Sequence, residues 1–126
     1  MNADVRSASD VVAALIFLTN QDYLLADPLR LHRAVNVARS RCDLLQQFGF
    51  SPVGPESMSR SLDDALALLK LSRVLRMENT DYDRYIIDPA AKRYIETVIL
   101  PQFSEQERTA LTGAAAIVRE ECGSPA

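Results

Sequence analysis

The chain holds one imidazole, His32, and two thiols, Cys42 and Cys122, among 126 residues. Nucleophilic catalysis by Ser or Cys needs an oriented base within hydrogen-bond reach of the attacking atom. No Gly-rich elbow surrounds any Ser or Cys here. His32 falls off the apolar stripe of its helix and is expected at the surface, solvated or hydrogen-bonded. Cys42 falls on that stripe and reads as a small core residue. Two Cys and one His are too few ligands for a structural zinc site, so no metal is expected.

The carboxylates offer two further candidates. Asn79, Asp81 and Asp83 make an acidic loop, but a hand-type calcium loop also needs a Gly and a distant bidentate Glu. Asp63 and Asp64 could pair as acid and base, yet helical neighbours point about 100° apart. Their place in a helix's first turn, where negative charge offsets the dipole, explains them. Four scattered glycines cannot build a phosphate or dinucleotide loop, so no cofactor is expected. No residue set stands out as catalytic, and the chain is expected not to be an enzyme.

Cations come in two groups. Arg30, Arg33 and Arg41 fall within roughly 80° of one another if residues 27–48 form one helix, a basic patch. Arg60, Arg73, Arg76 and Arg84 flank the third helix and the hairpin, where they could contact phosphates.

These side chains rest on the following elements. An apolar run, Val11 to Leu18, predicts a central helix from about Ser9 to Thr19, capped by Ser7 or Ser9. Asp27-Pro28 opens a second helix, with Leu31, Val35, Ala38, Cys42 and Leu45 as its buried stripe and Gly49 as a left-handed stop after Phe48. Residues 51–58 form a Pro-rich connector. Ser61-Leu62-Asp63-Asp64 opens a third helix, in which Leu62, Ala65, Leu66, Leu68, Leu69 and Leu71 leave little polar face, so it is expected to be substantially buried. Residues 74–78 and 84–88 are short β-rich runs around a polar loop, a β-hairpin. Asp88-Pro89 starts a fourth helix that Pro101 ends. Ser104 to Glu107 is a capping box for a fifth, with Gly123 past its end. The fold class is mainly α with one β-hairpin, in the order H-H-H-E-E-H-H, as a single domain over residues 1–126.

That order resembles winged-helix domains, and the stretch from Ser61 to Ile99 is similar to their second half. The resemblance implies either a DNA-binding transcriptional regulator or a module of the same build used for protein contacts. A second likeness spans Ala13 to about Gln102. Ala14-Leu15-Ile16-Phe17-Leu18, Asp27-Pro28-Leu29-Arg30, Phe48-Gly49-Phe50, Ser61-Leu62-Asp63-Asp64-Ala65-Leu66 and Tyr85-Ile86-Ile87 resemble the helical region beyond the catalytic domain of glycerol-3-phosphate acyltransferases. Lys92-Arg93-Tyr94-Ile95 departs from that family's signature. Val37 stands where its catalytic motif needs an Asp after His32. The likeness implies at most an accessory region without acyl transfer.

Composition narrows the choice. With 48% apolar and 25% charged residues the chain is ordinary globular material. A net charge of −3 gives no whole-chain field for nucleic acid or anionic lipid. The longest apolar run is far short of a membrane span, and the start lacks a basic signal region. A cytoplasmic protein with reduced thiols is expected. Acidic residues open the would-be recognition helix and fill the wing, which disfavours phosphate contact. The leading expectation is therefore a non-catalytic interaction or regulatory module, a homodimer or an accessory subunit of a larger enzyme. Its contact face is expected on Tyr94, Ile95, Val98 and Ile99 with Leu111, Ala115 and Val118.

Overall fold

The apolar run after Ser7 forms α1, Ala8–Leu18, in a computed structural model that describes residues 7–21, 23–25, 28–50, 58–78 and 84–123. The Ser7 hydroxyl caps it, accepting the Asp10 N–H at 3.1 Å. Six successive residues, Val11 to Ile16, are buried. A helix with no polar face must be enclosed, and α1 is covered by the third and fifth helices.

The second helix, α2, spans Pro28–Ala38 and does not run on to Phe48. Beyond Ala38 the chain tightens into two 3-10 turns, Arg39–Arg41 and Asp43–Gln47, with Cys42 extended between them. Side chains explain the break. The Gln46 amide donates to the Arg39 carbonyl at 2.7 Å, and the Ser40 hydroxyl donates to the Val37 carbonyl at 3.1 Å. Carbonyls that a continuing helix would use are thus taken by side chains. The stripe Leu31, Val35, Ala38, Cys42 and Leu45 is buried nonetheless. Gly49 does not adopt the expected left-handed conformation, because no α-helix remains there to be stopped.

The third helix, α3, is Arg60–Leu71, capped by Ser59 rather than Ser61: the Ser59 hydroxyl accepts the Leu62 N–H at 3.2 Å. It ends in a paired-bond C-cap, Arg73 N–H to Lys70 and Val74 N–H to Leu69. Arg73 takes the left-handed position there, φ 64°.

Strands β2, Leu75–Glu78, and β3, Arg84–Ile87, form the expected antiparallel hairpin, Leu75 opposite Ile87 and Glu78 opposite Arg84. A further strand, β1 at Leu24–Leu25, adds to the other edge of β3 and completes a three-stranded sheet in the order β1-β3-β2. The sheet was expected to have two strands; two residues are too few to show an alternation. The loop of Asn79, Asp81 and Asp83, the Asp27 cap and connector residues 51–57 lie outside the described residues.

Asp88 caps α4, Pro89–Tyr94, accepting the Ala90 N–H at 2.9 Å. The helical path then widens into a π turn, Ile95–Ile99, and closes with a 3-10 turn, Leu100–Gln102. Pro101 has no N–H and its ring would clash with the carbonyl four residues back. The π turn relieves that clash one turn early, so the helical path outlasts its expected end. The last helix, α5, is Glu105–Cys122 and opens on the expected capping box: Ser104 N–H to Glu107 at 2.7 Å, Glu107 N–H to Ser104 at 3.0 Å. It packs along α1 and α2. The mainly helical layout with its hairpin is compatible with a winged-helix-like architecture.

Candidate interaction surface

His32 is the largest departure from expectation. It is not at the surface: 1% of it is exposed. On a wheel of about 100° per residue it stands only some 60° from Val35, and the buried arc of α2 is wide enough to take it in. Both ring nitrogens are used. Nδ1 accepts the backbone N–H of Ser59 at 2.9 Å, so the proton sits on Nε2, which donates to Asp63 Oδ1 at 2.8 Å. His32, Ser59 and Asp63 are the residue types of a hydrolase triad wired for another purpose. The Ser59 hydroxyl faces Leu62 N–H, not the imidazole, and Ser59 is fully buried. The trio pins α2 to the start of α3. The Phe50 ring meets the imidazole edge-on at 6.1 Å, and the Arg39 guanidinium covers that ring at 5.2 Å. Cys42 and Cys122 are both free and buried. Burial pushes the Cys42 thiol above its ordinary range, against backbone N–H groups of Leu44 and Leu45 that pull the other way.

The two arginine groups do not assemble as the sequence suggested. Arg41 lies in a 3-10 turn past the end of α2, so it leaves the helical wheel that grouped it with Arg30 and Arg33. Arg76 and Arg84 share the outer face of the hairpin, by register. The Arg84 guanidinium is stacked on Tyr23 at 4.3 Å. Arg60 and Arg73 are exposed at opposite ends of α3. Between them the outward face of α3 carries Asp64, Ala67, Leu68 and Leu71, a face that offers phosphate little.

The expected contact face is corrected as well. Ile95, Ile99, Leu111, Ala115 and Val118 are buried in the chain's own core. Alpha5 turns its stripe onto α1 and α2, and the π turn after α4 packs on α1, so Ile95, Leu111, Ala115 and Val118 are closed to a partner and Ile99 reaches the surface only in the lining of the groove described below. Tyr94 and Val98, one helical step round from Ile95 and Ile99, point outward and are 49% and 43% exposed.

Those two belong to a different surface, which the sequence did not reveal. Leu68 and Leu71 of α3 are 53% and 81% exposed. Between α3 and α4 runs a groove of about 640 Å³ with Leu69, Val74 and Ile99 in its lining and Leu68 and Tyr94 at its sides. Ser9 and Asp10 of α1, Asp88 and Arg73 complete it, so it holds two carboxylates and one guanidinium. This Leu-rich helix was expected to be substantially buried. The spacing of Ala67, Leu68 and Leu71 places further apolar residues on the side of α3 away from Leu62, Ala65, Leu66 and Leu69, and that doubling was the available signal.

Compared with protein-family models, curated proteins and solved structures, the chain gives no significant match to any of them.

Proposed function

We propose that the chain is a non-catalytic interaction module whose working surface is the α3–α4 groove, and that its occupant is a second copy of the same chain. One observation carries this reading. Of the six large apolar side chains left exposed among the described residues, Leu68 and Tyr94 line this groove, while Leu71 sits beside Leu68 on α3 and Val98 in the π turn that continues α4. Scattered surface leucines need no explanation, but a grouped apolar surface marks a contact site.

The choice of a second copy rests on self-complementarity. A twofold interface places one patch against itself, so each ridge must find a groove and each charge its opposite in the same patch. This patch has both. Leu68 and Tyr94 are exposed at the sides of the groove that Leu69, Val74 and Ile99 line, and Leu71 is exposed beside Leu68 on α3. Arg73 lines it together with Asp10 and Asp88, so antiparallel pairing brings unlike charges together at the rim. The backbone supports a role for Arg73. Its left-handed turn would be better served by glycine by about 1 kcal/mol, yet the position holds a long cationic side chain.

Light scattering on a chromatographically resolved sample tests the proposal. A mass twice the 14.0 kDa of one chain supports it; a monomer across the accessible concentration range ends it. The arrangement lends less support to the DNA-regulator alternative, because acidic and apolar side chains occupy the outward face of α3.

A further inference from the structure

On the side of α4 away from the groove, the chain encloses a second cavity, between the end of α1, the β1 segment and the sheet. It has a volume of about 230 Å³, the space of about eight liquid water molecules. That is below the ~300 Å³ at which drug-sized sites begin, so it has room only for a small ligand. Ile16, Phe17, Leu24 and Ile87 give it an apolar wall, and Tyr23 and Tyr85 add two aromatic ones. Lys92 of α4 and Glu96 of the π turn that follows it, four residues apart, supply one charge of each sign. Neither has a hydrogen-bond or ion-pair partner among the described residues.

We infer that this cavity binds a small zwitterion of the α-amino-acid class. Lys92 takes the ligand's carboxylate, Glu96 takes its ammonium, and the Phe17–Tyr85 side of the cavity takes an apolar side chain. Three features favour this over an unused surface dent. Two opposite charges that could satisfy one another on adjacent helical turns both line the cavity without forming an ion pair. Glu96 lies in the π turn, a widened geometry that recurs at functional sites and here resets where the side chains of residues 95–99 emerge. The lining joins this charged pair, and the polar Thr19, Asn20 and Gln21, to a set of apolar and aromatic side chains, the two kinds of surface that an amino acid with a hydrocarbon side chain also needs. The groove reading does not enter into this inference, and a monomer could bind in the same way.

The test is a thermal-melting screen of the full chain with each apolar and aromatic L-amino acid, followed by calorimetric titration of the one that shifts most. At about ten times its dissociation constant, a ligand should raise Tm by about 5 °C for a domain of this size. Lys92→Gln and Glu96→Gln, both at exposed positions, should fold normally and each weaken binding tenfold or more. The amino acid's methyl ester, lacking the carboxylate, and its N-acetyl derivative, lacking the ammonium, should fail to bind. Absence of any shift at about 10 mM, where a millimolar binder would be near saturation, overturns the inference. So does equal binding by the ester, the N-acetyl form or either variant.

Discussion

Replacing His32 with alanine should be among the most damaging changes available to this chain. The imidazole is 1% exposed, and its removal opens a space in a packed core. The greater consequence falls on Ser59, whose N–H loses its acceptor at a position with no access to water. An orphaned buried donor costs about 1–3 kcal/mol. Together with the lost packing this gives about 3–5 kcal/mol, a third or more of the ~5–15 kcal/mol that holds a typical domain together. The Asp63 contact contributes far less, because that carboxylate is 57% exposed and screened. Asp63→Ala should therefore cost about 1 kcal/mol or less. Two isosteres separate the contacts. Asparagine at position 32 places an oxygen where Nδ1 was and keeps the Ser59 bond. Glutamine reaches Asp63 but leaves Ser59 orphaned. The expected order of stability is wild type, Asp63→Ala, His32→Asn, His32→Gln, His32→Ala. Urea unfolding followed by circular dichroism reads it directly, with the alanine midpoint lower by about 2 M for a typical slope. Equal losses in His32→Asn and His32→Gln, or an Asp63→Ala as damaged as His32→Ala, would refute the assignment of Ser59 as the partner that matters.

Further outcomes follow from other parts of the fold. Arg73→Gly should stabilise the isolated chain by about 1 kcal/mol, by relieving a left-handed non-glycine residue; an unchanged or lower urea midpoint contradicts that. The same variant should pair less well, since it deletes the groove's cation. Burial holds the Cys42 thiol above its ordinary 9.0, and burial, with the Asp63 charge, holds the Tyr85 phenol above 10.0. A value raised in the folded state gives stability that is complete below the unfolded value and is lost as pH climbs through the folded one. Urea midpoints should thus fall above about pH 9, with Cys42→Ala delaying the onset; a midpoint that rises there contradicts it. Random duplex DNA should show no measurable affinity even at about 50 mM salt, where phosphate contacts are strong; tight binding that weakens steeply with salt would restore the DNA reading.

The elements were legible wherever a local rule decides them. Asp88-Pro89 and Ser104 with Glu107 are read within a few residues and each forms as expected, and the apolar stripe of the second helix is buried throughout though helical only to Ala38. The break after Ala38 was not legible. It depends on Gln46 reaching back to the Arg39 carbonyl, a contact seven residues apart with no periodic signature. The pairing of β1 with β3 joins positions some sixty residues apart. His32 was misplaced for a related reason. A polar residue beside an apolar stripe reads as surface unless its partners are known, and Ser59 and Asp63 arrive from the next helix. The contact face was half legible. Tyr94 and Val98 were singled out with residues that the core claims, while Leu68 and Leu71 were assigned to a buried helix because a Leu-rich sequence does not say which leucines have neighbours.

Pairing through the α3–α4 groove is tested most directly by placing charge on its ridge. Leu68 and Leu71 are already largely exposed, so Leu68→Glu with Leu71→Glu should leave the monomer's circular dichroism unchanged. Full burial of a leucine is worth about 1.5–3 kcal/mol. Removing two per protomer, and adding four carboxylates to one interface, should weaken pairing by well over two decades. Sedimentation velocity at about 100 μM should then show the wild type at twice the 14.0 kDa chain mass and the double variant at 14.0 kDa. A wild type that sediments as a monomer, or a double variant that still sediments as a dimer, would contradict the groove as the site of self-association.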